Sequence, residues 1–398
     1  MNHMLNQQIT SAIISVMVIF GNIARAETSS PRIANFNGVN ISHGMTRENL
    51  DFISKYALIV TNFTTDGLEK EISYIKSKNP KILILQYISV RDLAAEEKKM
   101  CDELWMHDLS GKLISTWPGR YLPNQTREEV NKIIVDRARD KLAIVPQLDG
   151  FFLDGFTQSI SYIRQGQIDA DGNGRATNTI ELDRRWAAGL IRIVKGIRGI
   201  RPNIIIMANG WAPLEFGYEV LNGVLFEDQL SRLETSGPTS SAFADSLLEA
   251  YQKWMKISIR PHVTAFVDGG GKIQDAWKWK ELSNASRSIL IAEAKQNLKK
   301  MRFNLCFSLM ADGYAGFDYG TVWRGQHWWF SDWGIDLGNP IGSMRRGDGY
   351  WYRTYDNAVV YVNPYQKAVH VSYEKNKYTL QPFDGLIVEK LHHRNSRF

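Results

Sequence analysis

The chain has 398 residues, of which 44% are hydrophobic and 23% charged, so it carries enough apolar material for a large folded core. This composition excludes a disordered protein. The 48 basic residues exceed the 42 acidic ones by only six, without a long run of Lys or Arg, which excludes nucleic acid as the expected partner. With two cysteines, the chain has neither a disulfide framework nor a cysteine-based zinc site.

The N-terminus has the pattern of a secretory signal. An apolar run over residues 9–23 is followed by Ala24, Arg25 and Ala26, the small-x-small form that signal peptidase requires. We therefore predict a signal peptide over residues 1–26 and a mature protein that is secreted or periplasmic, with no membrane association after cleavage. The segment before the apolar run lacks Lys and Arg, which keeps an uncleaved anchor as the alternative.

From residue 31 to residue 345, short apolar runs alternate with longer segments of helical periodicity, the pattern of a parallel βαβ protein. Eight runs have strand length: Ile33–Asn37, Ala57–Phe63, Ile82–Ile88, Gly150–Asp154, Ile204–Asn209, Gly223–Glu227, His262–Asp268 and Cys306–Asp312. Helices are predicted between them, over Asp66–Lys78, Arg127–Leu142, Leu182–Arg198, Ala242–Met255 and Ser288–Phe303. Eight strands without a Gly-rich nucleotide loop favour a closed (β/α)₈ barrel over an open doubly wound sheet.

Beyond residue 345 the pattern changes to alternating aromatic and β-branched residues, separated by turn residues such as Asn363-Pro364 and Lys375-Asn376. This alternation is typical of antiparallel strands and fits no helix. We predict a small antiparallel β-domain over residues 346–391, followed by a flexible tail over 392–398.

Polar residues end five of the predicted barrel strands, at the edge where barrel enzymes carry their active sites. These residues are Asp154, Asn209, Glu227, Asp268 and Asp312. A carboxyl group that closes an apolar run is partly desolvated, which raises its pKa, while a second carboxylate in a more polar setting stays ionised. We predict Asp154 and Glu227 as the catalytic pair and the other three as substrate-binding; a structural role is the alternative for each.

Tryptophans cluster after the predicted strands, where their rings are suited to contact the apolar faces of sugars. Trp211, Trp328 and Trp329 are predicted to bind substrate, and Trp105 and Trp117 follow the third strand. The alternative is that many of these rings pack the C-terminal domain onto the barrel.

Residues 169–174 match the first half of a calcium-binding loop, with Asp169, Asp171 and Asn173 at alternate positions. The second half does not match, because Ile180 occupies the twelfth position, so an ordinary polar loop is the alternative. We predict a structural calcium at most and no required cofactor. The histidines have no HxH or HExxH spacing that would indicate a catalytic metal.

Several segments carry a resemblance to a known family: residues 148–155, the loop over 169–174, residues 224–227, residues 361–364 and residues 382–385. In this order they resemble hypothetical glycosyl hydrolase family 15, distantly akin to endo-α-1,4-polygalactosaminidase-like barrels. The resemblance implies a (β/α)₈ barrel with a small C-terminal β-domain that acts on polysaccharide. It also implies that Asp154 and Glu227 are the catalytic residues.

The sequence thus predicts a secreted glycoside hydrolase, expected to be a monomer, that cleaves an extracellular or cell-envelope polysaccharide by a two-carboxylate mechanism. Two alternatives remain open. A catalytically inactive barrel would bind carbohydrate without cleaving it, and a transglycosylase would use the same carboxylates while excluding water from the acceptor site. The stereochemical outcome depends on the distance between the two carboxyl groups, which no sequence spacing reports.

Overall fold

The computed structural model describes residues 30–36, 41–63, 67–94, 101–117, 119–210, 214–324 and 326–390. The predicted signal peptide over residues 1–26 and the predicted tail over 392–398 lie outside these ranges, as does Trp211. Within them, the structure contains no helix whose length and apolarity would let it cross a membrane.

Eight parallel strands form one sheet in sequential order, and a parallel bridge between Ile33 and Ala315 brings its two edges together. The predicted (β/α)₈ barrel is thereby confirmed. The strands are β1 (Ala34–Phe36), β2 (Leu58–Thr61), β3 (Leu83–Ser89), β4 (Gly150–Asp154), β5 (Ile205–Asn209), β6 (Gly223–Glu227), β7 (Ala265–Gly269) and β8 (Tyr314–Asp318).

Helices surround the barrel: α1 (Arg47–Ile53), α2 (Glu69–Lys78), α3 (Glu128–Ile144), α4 (Thr179–Ile200), α5 (Gln229–Thr235), α6 (Ser240–Ile257), α7 (Ala276–Glu281), α8 (Asn284–Lys295) and α9 (Leu298–Ser308). The longest, α4, is capped at its N-terminus by Asn178, whose side chain accepts hydrogen bonds from the backbone N–H groups of Ile180 and Glu181. Its buried side chains recur at helical spacing, which presents one apolar face to the barrel.

Alternation along the strands decides which side chains face the inside of the barrel. One buried cluster consists of inward-facing residues, including Leu85, Phe152, Met207, Leu225 and Tyr314. Their sequence neighbours on the strands belong to a second cluster between the sheet and the helices. A residue two positions beyond an inward-facing one at a strand end therefore points into the barrel mouth, and a residue one position beyond points outward.

The predicted eighth strand over Cys306–Asp312 was wrong. Residues up to Ser308 belong to α9, and the strand itself follows Gly313. Helix α9 lies between the barrel and the C-terminal domain, so Met301 and every residue over 303–308 are buried. A helix segment that is buried on all sides shows no amphipathic periodicity and cannot be distinguished from a buried strand by its pattern.

The C-terminal part forms the predicted antiparallel β-domain. A four-stranded sheet has the order β9 (Arg345–Arg346), β10 (Trp351–Thr354), β11 (Ala358–Asn363) and β14 (Asp384–Glu389), and β12 (Val369–Tyr373) pairs with β13 (Asn376–Leu380) as a hairpin. Trp351 packs edge-on against Phe307 of α9, with ring centroids 5.5 Å apart. The domain thus shares the hydrophobic core of the barrel.

Two long loops build up one side of the barrel mouth. Within the loop after β3, a short strand at Ser115–Trp117 pairs with Arg120–Tyr121. Residues His107–Asp108 of the same loop pair with Ile168–Asp169. The latter segment belongs to the loop after β4. Hydrogen bonding between the two loops holds them together above the ends of β3 and β4.

Candidate active site

Asp154 ends β4 two positions after the inward-facing Phe152, so its carboxyl group points into the barrel mouth. Tyr87 of β3 donates a hydrogen bond of 2.7 Å to Asp154 Oδ2, and the backbone N–H of Gly155 donates one of 2.9 Å to Oδ1. Burial raises the pKa of Asp154, and the charge of Glu227 adds to this rise, while the bond from Tyr87 opposes it. Such an environment suits a carboxyl group that holds a proton.

Asn209 connects Asp154 to Glu227. It ends β5, pairs in register with Asp154, and its Nδ2 donates to both carboxyl groups. Because this one nitrogen lies 3.0 Å from Asp154 Oδ1 and 2.8 Å from Glu227 Oε2, these two oxygens are less than about 6 Å apart. The structure therefore brings together the three residues predicted at the ends of β4, β5 and β6.

Glu227 ends β6 and differs from Asp154 in its surroundings. Its side chain is 30% exposed, and its Oε1 accepts a hydrogen bond of 2.8 Å from Nε of Arg324, which is 7% exposed. Arg324 and Asn209 each donate to one of its two oxygens, and the bond from the charged guanidinium is the stronger kind. Glu227 thus accepts from an arginine, whereas the donors to Asp154 are a phenol, an amide and a backbone N–H.

Arg324 binds two further carboxylates, Asp318 at 2.9 Å and Asp228 at 2.8 Å. Burial by itself would lower the pKa of the guanidinium, but Asp318, Glu227 and Asp228 together raise it well above its usual value. For Asp228, burial acts to raise the pKa, yet the charge of Arg324 and a hydrogen bond from Thr321 bring it below its usual range. Arg324 is therefore the central cation of the barrel mouth.

The sequence profile of hypothetical glycosyl hydrolase family 15 matches residues 76–359, which include every residue of this site. The chain belongs to this family. Membership confirms the predicted class of enzyme, a glycoside hydrolase that cleaves glycosidic bonds. The comparison with curated proteins found no match.

Solved structures of glycoside hydrolases are similar in overall shape. Eubacterium rectale Amy13B aligns with a TM-score of 0.48 and 11% identity over 91% of this chain and 96% of that chain. An Anoxybacillus alpha-amylase aligns with a TM-score of 0.47 and 11% identity over 90% and 96% of the two chains. A Nostoc punctiforme debranching enzyme aligns with a TM-score of 0.48 and 11% identity over 91% of this chain and 98% of that chain. Similarity at this level says nothing about the substrate of the family 15 protein.

Sequence reasoning missed three residues of this glycoside hydrolase's site: Tyr87, Asp318 and Arg324. Asp318 has the same signal as Asp154, since it closes a buried strand, but that strand was assigned to the wrong segment. Tyr87 is a polar aromatic residue at an inward-facing position of β3, and this position could have indicated a place in the site. Arg324 lies in the loop after β8, and no periodicity marks it.

Asp268 and Asp312, predicted to bind substrate, are placed elsewhere. Asp268 follows the inward-facing Val267, so it points outward; it is 1% exposed and accepts hydrogen bonds from the backbone and hydroxyl groups of Ser231. Asp312 precedes β8 and therefore lies at the opposite end of the barrel, where it forms an ion pair of 2.9 Å with Arg353. Both predictions are corrected to structural roles.

The predicted sugar-binding tryptophans also differ from expectation. Trp328 is buried, with its ring packed against Phe317 and Phe330, and Trp329 packs edge-on against Tyr56. These rings hold the loop after β8 against the barrel, which leaves Trp328 no face for a sugar. The position of Trp211 lies outside the described residues.

The predicted calcium loop is held by the protein's own donors. The carboxylate of Asp169 accepts hydrogen bonds from four backbone N–H groups, those of residues 171, 172, 173 and 174, and Asp171 forms an ion pair of 2.7 Å with Arg185. Burial of Asp169 acts to raise its pKa, but the backbone donors lower it. No group of His, Cys, Asp and Glu side chains in the described part of the chain is arranged to hold a metal ion. This geometry favours the polar-loop alternative, with Asn173 as a turn residue whose side chain accepts from Arg175 N–H.

Proposed function

We propose that this family 15 protein hydrolyses an extracellular or cell-envelope polysaccharide with retention of anomeric configuration. Glu227 acts as the nucleophile and Asp154 as the general acid and base. The observation that carries this proposal is the bridging amide of Asn209, which holds one oxygen of each carboxyl group within about 6 Å of the other. Retaining glycosidases have separations of about 5–5.5 Å, whereas inverting enzymes need more than about 6.5 Å to admit a water molecule.

The two roles follow from the two environments. Asp154, with its raised pKa, protonates the glycosidic oxygen as the bond to the leaving group breaks. Glu227, paired with Arg324, attacks the anomeric carbon and forms a glycosyl ester. Asp154, now ionised, then takes a proton from water as the water attacks the same carbon and releases Glu227.

The neighbouring residues position this pair. Asn209 fixes the distance between the carboxyl groups, and Tyr87 orients the carboxyl group of Asp154. The bond from Arg324 Nε occupies Glu227 Oε1, and Asn209 contacts Oε2. Restricting both carboxyl groups before substrate arrives lowers the cost of reaching the reactive geometry.

The cellular setting of the proposal comes from the sequence. The predicted signal peptide over residues 1–26 supports a mature protein in the periplasm or the medium, and hence an extracellular or cell-envelope substrate. The protein is proposed to act as a monomer without a required cofactor, because the proposed mechanism uses only side chains.

The proposal is tested by measuring the release of reducing ends from a panel of purified bacterial and fungal exopolysaccharides, with the chain from Glu27 onward. The first-formed product from the cleaved glycan is then examined by proton NMR. We expect one glycan to be cleaved and the anomeric configuration of its linkage to be retained in the first product.

Other outcomes are distinguishable. An inverted product would overturn the assignment of Glu227 as nucleophile. Products longer than the substrate would indicate a transglycosylase. Binding of a glycan without any cleavage would favour the inactive carbohydrate-binding barrel.

Replacing Tyr87 by phenylalanine tests the role of Asp154 as the titrating acid. The hydrogen bond from Tyr87 lowers the pKa of Asp154, so its loss raises that pKa further. Because the general acid must be protonated, the variant should stay active to higher pH, and the alkaline limb of the kcat/KM profile should move upward. The measurement is the pH dependence of kcat/KM for both proteins.

Tyr74→Phe is the matched control, since Tyr74 also donates to a carboxyl group, that of Asp51, on the outer surface of the protein. Its pH profile should equal that of the wild type. An alkaline limb that stays in place or moves to lower pH in Tyr87→Phe would show that a group other than Asp154 sets it.

A further inference from the structure

Two exposed tryptophans line one cavity at the barrel mouth. Trp117 is 46% exposed and Trp277 is 64% exposed, and the cavity they line has a volume of about 440 Å³. Gln274, Thr321 and Val322 complete much of its wall. Single exposed rings are common on protein surfaces, but two that line the same cavity form an apolar patch of the kind that marks a binding site.

The position of the cavity follows from the barrel topology. Trp117 belongs to the loop after β3, Trp277 to α7 after β7, and Thr321 to the loop after β8. In a closed barrel of eight strands, the third and seventh lie on opposite sides. The cavity therefore lies where the long loop after β3 meets the segments that follow β7 and β8.

A short chain of contacts joins this cavity to the catalytic pair. The hydroxyl of Thr321 donates to Asp228, whose other oxygen accepts a bond of 2.8 Å from Arg324. Arg324 in turn donates to Glu227 at 2.8 Å. The cavity wall is thus linked to the proposed nucleophile through Asp228 and Arg324.

The chemistry of the cavity is that of a sugar site. Indole rings present flat apolar surfaces to the C–H faces of pyranose rings. Gln274 donates to backbone carbonyls and Thr321 to Asp228, so their oxygens serve as acceptors for sugar hydroxyls. Its volume lies within the range of about 300–1,000 Å³ that is typical of ligand sites.

We propose that Trp117 and Trp277 form a glycan subsite next to the catalytic pair, which binds sugar units of the substrate chain beyond the bond that is cleaved. This proposal rests on the proposed function and defines its substrate as a chain long enough to reach from Glu227 to the two tryptophans. The enzyme should therefore prefer long oligosaccharides to disaccharides.

The test measures binding to an array of oligosaccharides of graded length, using Glu227→Gln as the parent so that no ligand is cleaved. We expect Trp277→Ala and Trp117→Ala each to weaken binding of the long oligosaccharides about ten-fold, with disaccharide binding unchanged. Trp277→Phe should retain most of the affinity, because a smaller aromatic face remains. Tyr162→Ala is the control, since Tyr162 is an aromatic side chain of similar exposure, at 49%, that does not line this cavity.

Equal binding of long oligosaccharides before and after both alanine substitutions would overturn the subsite, as would a parent protein that binds no oligosaccharide on the array. A loss that is the same for disaccharides and long chains would also overturn it, since the tryptophans would then act on the catalytic site itself. These outcomes are separate from the fate of the proposed function, which is decided by cleavage with the wild-type protein.

Discussion

Glu227→Gln should lower kcat by at least about a thousand-fold, because the amide has nearly the same size but no charge with which to attack the anomeric carbon. Asp154→Asn should also be strongly impaired on natural glycans, whose leaving groups need a proton. Both effects are measured as initial rates of reducing-end release from the glycan identified in the panel. Glu249→Gln, on the exposed surface of α6, is the control and should keep the wild-type rate.

Azide distinguishes the two roles in this first prediction. In Glu227→Ala, azide takes the place of the missing carboxylate and should give a glycosyl azide of inverted configuration. In Asp154→Ala, Glu227 still forms the glycosyl ester, which azide then attacks, so the glycosyl azide should have retained configuration. The reverse pattern of configurations would exchange the two assignments. Circular dichroism of each variant confirms that the fold is intact.

Arg324→Ala should destabilise the protein by about 3–5 kcal/mol, because it leaves the carboxylates of Glu227, Asp228 and Asp318 together without their shared cation. The side chain is 7% exposed, so water cannot replace the guanidinium easily. The free energy of unfolding is measured by urea titration with tryptophan fluorescence. Activity should fall as well, since Glu227 loses the contact that orients it.

Two further variants make this second prediction specific. Arg139→Ala removes an arginine that pairs with Asp136 on the exposed surface of α3, and it should change the unfolding free energy by less than about 1 kcal/mol. Arg324→Lys keeps the charge but cannot hold three carboxylates with one planar group, so its stability should lie between wild type and Arg324→Ala. A stability of Arg324→Ala equal to that of Arg139→Ala would contradict the central role of Arg324.

The proximity of Asp154 and Glu227, the proposed catalytic pair, was predictable because both residues combine two local signals. Asp154 and Glu227 each end a run of apolar residues with strand length, and parallel strands of a barrel end at the same rim. The same reasoning placed Asn209 between them. Asp268 could not be excluded in this way, because Ala265, Phe266 and Val267 are all apolar and only the structure shows that Val267 faces the inside of the barrel.

The eighth strand could not be located from its pattern. Helix α9 packs against the barrel on one side and the C-terminal sheet on the other, which buries its residues 303–308 on all sides. The resulting run over Cys306–Asp312 resembles a buried strand more closely than the true strand does, whose residues include Gly316. The sequence analysis therefore did not identify Asp318 as the residue that ends the eighth strand, and it named Asp312 instead.

The sequence by itself determined the barrel, its C-terminal β-domain and the acids that end β4 and β6, because strand length and alternation are local properties of the chain. Tertiary structure alone decided the network around them. Arg324 reaches Glu227 across 97 residues of sequence and Tyr87 reaches Asp154 across 67, contacts that depend on how loops and strands meet in space. Trp117 and Trp277 come together for the same reason, since closure of the barrel places segments after its third and seventh strands around one mouth.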